Sequence, residues 1–197
     1  MNKVMQKHFG RIFVMSGPSG SGKTTLHQKL LLDKKIKKRL VKTISATTRK
    51  KRAGERHGQH YLFLTEKQFL NNIKKGYFLE WQKVFTDYYG TPKAQAEKIL
   101  KTGKNILLCI DVKGAKIVFK AFKDAVGLFI KAPSLSILKK RLQKRGTESA
   151  QALARRLDIA RREMKEAKHY RYLVVNTDVK KAVQKLKRIV IEELKAG

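Results

Sequence analysis

Residues 17–24 run Gly17-Pro18-Ser19-Gly20-Ser21-Gly22-Lys23-Thr24: a glycine, four residues, then Gly-Lys-Thr. This is the spacing of a phosphate-binding loop, and its flanks are those such a loop requires. Ile12-Phe13-Val14-Met15 before it is a short apolar run that reads as a buried strand. Leu26 and Leu30 after it share one face of a helix. The glycines let the backbone turn tightly enough for several N–H groups to converge on one anion. The positive end of the following helix adds to that field. In this setting Lys23 reaches terminal phosphates and the Thr24 hydroxyl serves Mg2+.

The remaining chain extends the same plan. Strands are predicted at 40–44, 105–111, 126–130 and 172–175. The run Asn105-Ile106-Leu107-Leu108-Cys109-Ile110-Asp111 is apolar enough to be buried on both faces. Between the last two of these strands lie helical stripes at Leu135, Leu138 and Leu142 and then at Leu153, Leu157, Ala160 and Met164, and after the last strand comes a final one at Val179, Val183, Leu186 and Val190. Strands alternating with helices imply an α/β fold with a mainly parallel sheet. Residues 34–39, Lys-Lys-Ile-Lys-Lys-Arg, read as a solvated basic turn.

Residues 45–91 break the alternation. The stretch from Ser45 to Tyr61 is polar, basic and punctuated by glycine, and long irregular segments inside compact domains are usually functional. His60–Leu64 reads as a short strand, and Thr65 with Gln68 forms a capping box for a helix bearing Phe69 and Ile73. Tyr77–Trp81 is again a strand, and Tyr88–Pro92 reads as a turn leading into another helix.

Composition narrows the class. A chain of 197 residues with 42% hydrophobic residues is one globular domain with small inserts. Its 47 Lys and Arg against 15 Asp and Glu leave a net charge of +32, which suits anionic ligands. The basic residues are spread along the whole chain, which favours a general cationic surface over a dedicated nucleic-acid groove. Nonspecific RNA binding at low salt is compatible with that charge. The single cysteine, Cys109, excludes an internal disulfide and fits a reducing, cytoplasmic compartment. No apolar run approaches membrane-spanning length.

A second anion site stands in the 45–91 segment. Arg49 and Arg52 can each form two-pronged contacts to phosphate, and Tyr61 and Tyr89 can donate hydroxyls. Loop arginines are commonly solvated and such tyrosines commonly pack, so the group carries weight only together with Gly54 and Glu55. Two adjoining phosphate sites are what transfer from one phosphate to another requires.

At this point the chain resembles the guanylate kinases over nearly its full length. The carrying motifs are the 17–24 loop; Ser45-Ala46-Thr47-Thr48-Arg49 with Arg52-Ala53-Gly54-Glu55 and Tyr61; Phe78-Leu79-Glu80-Trp81; Tyr88-Tyr89-Gly90; Ile110-Asp111 with Gly114; and Arg141-Leu142 with Arg145-Gly146. The resemblance implies a P-loop NTPase-type three-layer core (1–44, 92–140 and 161–197), a GMP-binding insert (45–91) and a lid (141–160), as in nucleoside monophosphate kinases. It implies transfer of the γ-phosphoryl group of ATP to GMP, with Mg2+ accompanying ATP and Thr24 as its protein ligand. ATP would be held by Gly17, Pro18, Ser19, Gly20, Ser21, Gly22, Lys23, Thr24, Thr25 and, near the adenine, Asn176. GMP would be held by Ser45, Arg49, Arg52, Tyr61 and Tyr89 at its phosphate and by Glu80, Thr91 and Asp111 at its base, with Glu55 also among the GMP-binding residues. Lys23, Arg49, Arg141, Arg145 and Arg156 would stabilise the transferring phosphoryl group. Glu80 makes chemical sense there, because a carboxylate can accept from both guanine N1–H and the 2-amino group, a donor pair adenine lacks.

Two positions depart from the family pattern. An acid is usual where Cys109 stands, and a glutamine where Lys113 stands. The first departure implies weaker metal handling, or else Cys109 is a small buried apolar residue and Asp111 takes the acid's role. Three other readings compete: a guanylate-kinase-like binding module with weakened catalysis, a ribose-phosphate kinase of the same fold, and a basic RNA-binding protein.

Overall fold

Ile12, Phe13, Val14, Met15 and Ser16 are all buried, and a run with no solvent face must lie in the middle of a covered sheet. In the computed structural model, which describes residues 9–143 and 150–195, this run is β1 (Ile12–Ser16). It is the central strand of a five-stranded sheet that includes β2 (Leu40–Lys42), β7 (Asn105–Cys109), β8 (Val126–Lys131) and β9 (Tyr172–Val175). The order is β2-β7-β1-β8-β9 and every pairing is parallel.

Side chains alternate across this sheet, so each strand feeds two cores. Phe13, Met15 and Leu107 pack on one side against α1 (Lys23–Leu30) and α8 (Val179–Lys195). Ile12, Val14, Ile106 and Leu108 pack on the other against α4 (Lys93–Lys101) and α5 (Val112–Ala121). The outcome is the three-layer α/β sandwich that the alternation of elements implies.

Residues 34–39 are not a turn. The Asp33 carboxylate accepts the N–H groups of Lys35 and Ile36 at 2.9 and 3.2 Å and caps a short helix, α2 (Lys34–Arg39). Ile36 is fully buried against the first core. One apolar residue among five basic ones is too faint a periodicity to show a helix, yet one buried anchor and a cap suffice to hold one turn and a half.

A second, four-stranded sheet runs in the order β4-β3-β6-β5, comprising β3 (Ala46–Thr47), β4 (Leu62–Phe63), β5 (Phe78–Val84) and β6 (Asp87–Pro92). Residues 88–92 are therefore a strand, antiparallel to β5 with Glu80 opposite Thr91 and Val84 opposite Asp87. Gly90 and Pro92 are turn signals in isolation. Here Gly90 is where the Phe78 ring presses on the strand, leaving 2.8 Å for any added Cβ, and Pro92 is the N-cap of α4. The capping box forms as the sequence predicts: Thr65 and Gln68 bond reciprocally at the start of α3 (Glu66–Lys74). From that helix Phe69 stacks on Phe78 at 4.4 Å and anchors the small sheet's own core. No helix among the described residues is long and apolar enough to cross a membrane.

The C-terminal helix is pinned by one buried carboxylate. Glu193, only 3% exposed, receives Arg11 at 3.0 Å, Arg171 at 3.1 Å and the Tyr172 hydroxyl at 2.5 Å. Removing one member of a buried ion group typically costs about 3–5 kcal/mol. Arg171 is exposed and can rehydrate, so the expected loss for Glu193→Ala is about 2–3 kcal/mol, read as a melting point lower by roughly 5–10 °C. An unchanged melting curve would show that the group contributes nothing net.

Candidate active site

One cleft of about 700 Å3 opens between the β1–α1 loop, the second sheet, the start of α5 and the helix α7 (Ala150–Lys165). Its floor is the 17–24 loop. Gly22 caps α1 at φ 95°, a conformation a side chain disfavours, and a Cβ there would lie 2.3 Å from Asn176 Nδ2. The Lys23 ammonium donates to the carbonyls of Gly17 at 2.6 Å and Pro18 at 3.0 Å, folding over the loop it serves. Thr24 is exposed in the first turn of α1 and borders the cleft.

The loop is braced from behind. Asn176, buried at the end of β9, donates through Nδ2 to the Ser21 carbonyl at 2.8 Å. Arg141, on α6 (Leu135–Gln143), donates to the Asn176 carbonyl at 3.0 Å. Neither side chain is on the cleft wall, so in this structure both support the loop's shape.

The opposite wall comes from the second sheet and the loop after β3. Glu55 accepts from the Arg49 guanidinium at 2.8 and 3.0 Å and from the Arg52 backbone N–H at 2.8 Å. Arg49 also lies over the Tyr61 ring at 5.6 Å, and Tyr61 meets Tyr89 edge-on at 6.3 Å. Glu55, Tyr61, Tyr89 and Ser45 line the cleft, while the Arg52 side chain is exposed outside it. A guanidinium held by a carboxylate and an aromatic face keeps part of its donor fork free for an anion.

Deeper in stands Glu80, 5% exposed. It accepts from the Thr91 hydroxyl at 2.7 Å, the two residues facing each other across β5 and β6. The register shifts between Phe78 and Glu80, and this bulge lets Phe78 join the small core while Glu80 turns toward α5. There a Cβ on Gly114 would sit 2.4 Å from Glu80 Oε2. Burial pushes the Glu80 carboxyl up from 4.5 to about 7, opposed by the Thr91 bond and assisted by the charge of Asp111. Asp111 is not the last residue of its strand. β7 ends at Cys109, and Asp111 is the N-cap of α5, accepting the Gly114 N–H at 2.7 Å. Burial raises its pKa too, against that bond and the charge of Lys23.

The third wall is α7. Arg156, Ile159 and Glu163 recur on it at helical spacing, and they border the cleft together with Glu166, the residue just past its end. Glu163 is one of the cleft residues that sequence reasoning passed over, as are Gln82 and Phe85. Burial lifts the Glu163 carboxyl to about 7, opposed by the charges of Lys23 and Lys113 and assisted by that of Asp111. Its signal was present, since it stands two turns after Arg156 on the same face. Cys109 is half-buried at the cleft, with its thiol pushed up by burial.

The structure thus brings to the cleft Gly17, Ser19, Gly20, Gly22, Lys23, Thr24, Ser45, Glu55, Tyr61, Glu80, Tyr89, Asp111 and Arg156. Pro18, Ser21 and Thr25 belong to the loop and first helical turn without lining the cleft, and Arg49 and Thr91 stand directly behind wall residues. Arg145 lies outside the described residues.

The comparisons with known proteins agree among themselves. Residues 9–193 match the guanylate kinase family. A guanylate kinase of Carboxydothermus hydrogenoformans is 42% identical over 94% of this chain and 90% of its own length. That of Caldanaerobacter subterraneus subsp. tengcongensis is 44% identical over 95% and 89%. The crystal structure of guanylate kinase from Anaplasma phagocytophilum superposes with a TM-score of 0.78 at 31% identity, covering 95% of this chain and 87% of that one. With the braced 17–24 loop facing a buried Glu80–Thr91 pair across one cleft, and with these matches over nearly its whole length, the chain belongs to the guanylate kinase family.

Proposed function

We propose that this chain transfers the γ-phosphoryl group of ATP to GMP, giving ADP and GDP. The observation that carries the reading is the single cleft joining the 17–24 loop to Glu80 and to the Tyr61–Tyr89 wall. ATP lies on the loop, with Lys23 at its terminal phosphates. GMP lies opposite, its phosphate met by Arg49, Tyr61, Tyr89 and Ser45, and its guanine by Glu80, Thr91 and Asp111. Arg156 reaches the transferring group from α7, where positioned cations stabilise charge spread over the phosphoryl oxygens. Asn176 and Arg141 act through the loop they brace.

Mg2+ fits the donors at hand. The Thr24 hydroxyl and phosphate oxygens are the hard ligands the ion prefers, whereas the Cys109 thiol is not. Mg2+ bound with ATP supplies charge neutralisation between the phosphates. The free thiol supports a reducing, cytoplasmic setting. No observation favours the weakened binding module.

The test is ADP release measured with GMP, AMP, UMP and CMP as acceptors; equal rates with all four would overturn the assignment. A pH profile refines it. Glu80 must be ionised to accept two guanine N–H bonds, and its pKa in the free protein is raised to about 7. The GMP kcat/KM should therefore climb between about pH 6 and pH 8 and then level. Over the window between its ordinary 4.5 and about 7 the folded state holds the extra proton, so this group makes stability fall as pH rises. Glu163 titrates in the same range, so Glu80→Gln is the control. An equally steep climb in that variant would assign the profile elsewhere.

A further inference from the structure

We propose that Phe85 is a positioning residue for Arg156, holding its guanidinium over the cleft; this rests on the phosphoryl-transfer reading above. Three observations converge on it. The Arg156 guanidinium carbon lies 4.6 Å from the centroid of the Phe85 ring, linking α7 to the tip of the β5–β6 hairpin. Both residues border the cleft. Among the described residues, Phe85 is the one non-glycine with positive φ, at 58°.

That backbone conformation is informative. Val84 pairs with Asp87, so Phe85 and Thr86 form a two-residue turn with Phe85 in its first place. A positive φ is needed at that place alone, and glycine adopts it with little strain. A phenylalanine is strained in that region, and such strain persists where something else holds or uses the residue. Packing does not account for it. The ring is 44% exposed and belongs to none of the buried clusters. What it meets is the arginine.

Stacking suits the task. The guanidinium is attracted through its face, while its five N–H groups point outward in the plane. An arginine held this way by its face is already placed, and it loses less freedom when its N–H groups engage phosphate oxygens. The same wall uses the device once more, with Arg49 over Tyr61 at 5.6 Å.

The experiment compares Phe85→Gly, Phe85→Leu and Phe85→Tyr with the parent in kcat, KM, ATP affinity by calorimetry, and melting temperature. Phe85→Gly relieves the turn, so its melting point should stay level or rise, whereas kcat should fall by between about twofold and about thirtyfold, the range for a cation–π contact. Phe85→Leu should share the kinetic loss, and Phe85→Tyr should restore parental rates. In an Arg156→Ala background Phe85→Gly should cost nothing further. Parental or raised kcat and unchanged ATP affinity in Phe85→Gly overturn the proposal, as does an undiminished loss in the Arg156→Ala background. A parent chain that makes no GDP overturns the activity reading instead, and the calorimetric comparison then decides the role of Phe85 alone.

Discussion

Lys23→Ala is expected to lower phosphoryl transfer by roughly a thousandfold or more while leaving the protein folded. The lysine's ammonium stands over the loop, bonded to the Gly17 and Pro18 carbonyls at 2.6 and 3.0 Å. A phosphate oxygen is a stronger partner than a neutral carbonyl, so a bound triphosphate draws the charge onto itself. In the transition state the charge on those oxygens spreads, and a fixed cation costs no reorganisation at that moment. None of this supports the core. The side chain is half-exposed, and the two carbonyls it leaves can be met by water, at a cost of about 1 kcal/mol. A melting point within about 4 °C of the parent is the companion expectation. Single-turnover GDP formation and a thermal melt on the same sample decide the matter. A variant retaining a tenth of parental activity would remove Lys23 from the chemistry, and one that fails to fold would make the loop a structural element.

The second large effect concerns the base. The parent should prefer GMP to AMP on the order of ten-thousandfold, as sites built to pair a substrate's polar groups do. Adenine presents a lone pair at N1 and lacks the 2-amino group, so it would set an acceptor against Glu80 and leave that carboxylate buried without its partners. Glu80→Gln keeps the shape and one acceptor but replaces the other with a donor. A charge-assisted bond is lost, typically about 1.5–3 kcal/mol, and the GMP preference should shrink by roughly ten- to a hundredfold, chiefly through the KM for GMP. Stability should move the other way. Above pH 7 the parent holds an ionised, 5% exposed carboxylate, and the amide removes that desolvation cost. A variant that is stable but indiscriminate is thus the expected product. Equal discrimination by parent and variant would exclude Glu80 from base recognition.

Much of this was legible in the residues themselves, and the reason is locality. The 17–24 loop is contiguous, and its flanking strand and helix are encoded by apolar runs within a few residues of it. Strands buried on both faces are continuous apolar runs, so the parallel sheet could be read from composition along the chain. The Thr65–Gln68 capping box is a four-residue interaction and formed as spelled. The α2 helix was hidden only because its evidence is one isoleucine and one aspartate.

What the tertiary structure alone decided is which distant residues meet and how dry they are when they do. The β5–β6 hairpin turns at Phe85-Thr86, which carries no turn signal, because pairing along the rest of the strands and the contact with Arg156 hold it there. Asn176 and Ser21 are 155 positions apart, and nothing in either segment announces that one braces the other. Glu80 and Glu163 are ordinary carboxylates on paper; both are raised to about 7 because folding strips them of water, with Asp111 adding to the rise in each. Periodicity records which face of an element is apolar, a property of neighbours in sequence. Desolvation and charge coupling depend on what the fold packs against that face, and they exist only once the chain has closed on itself.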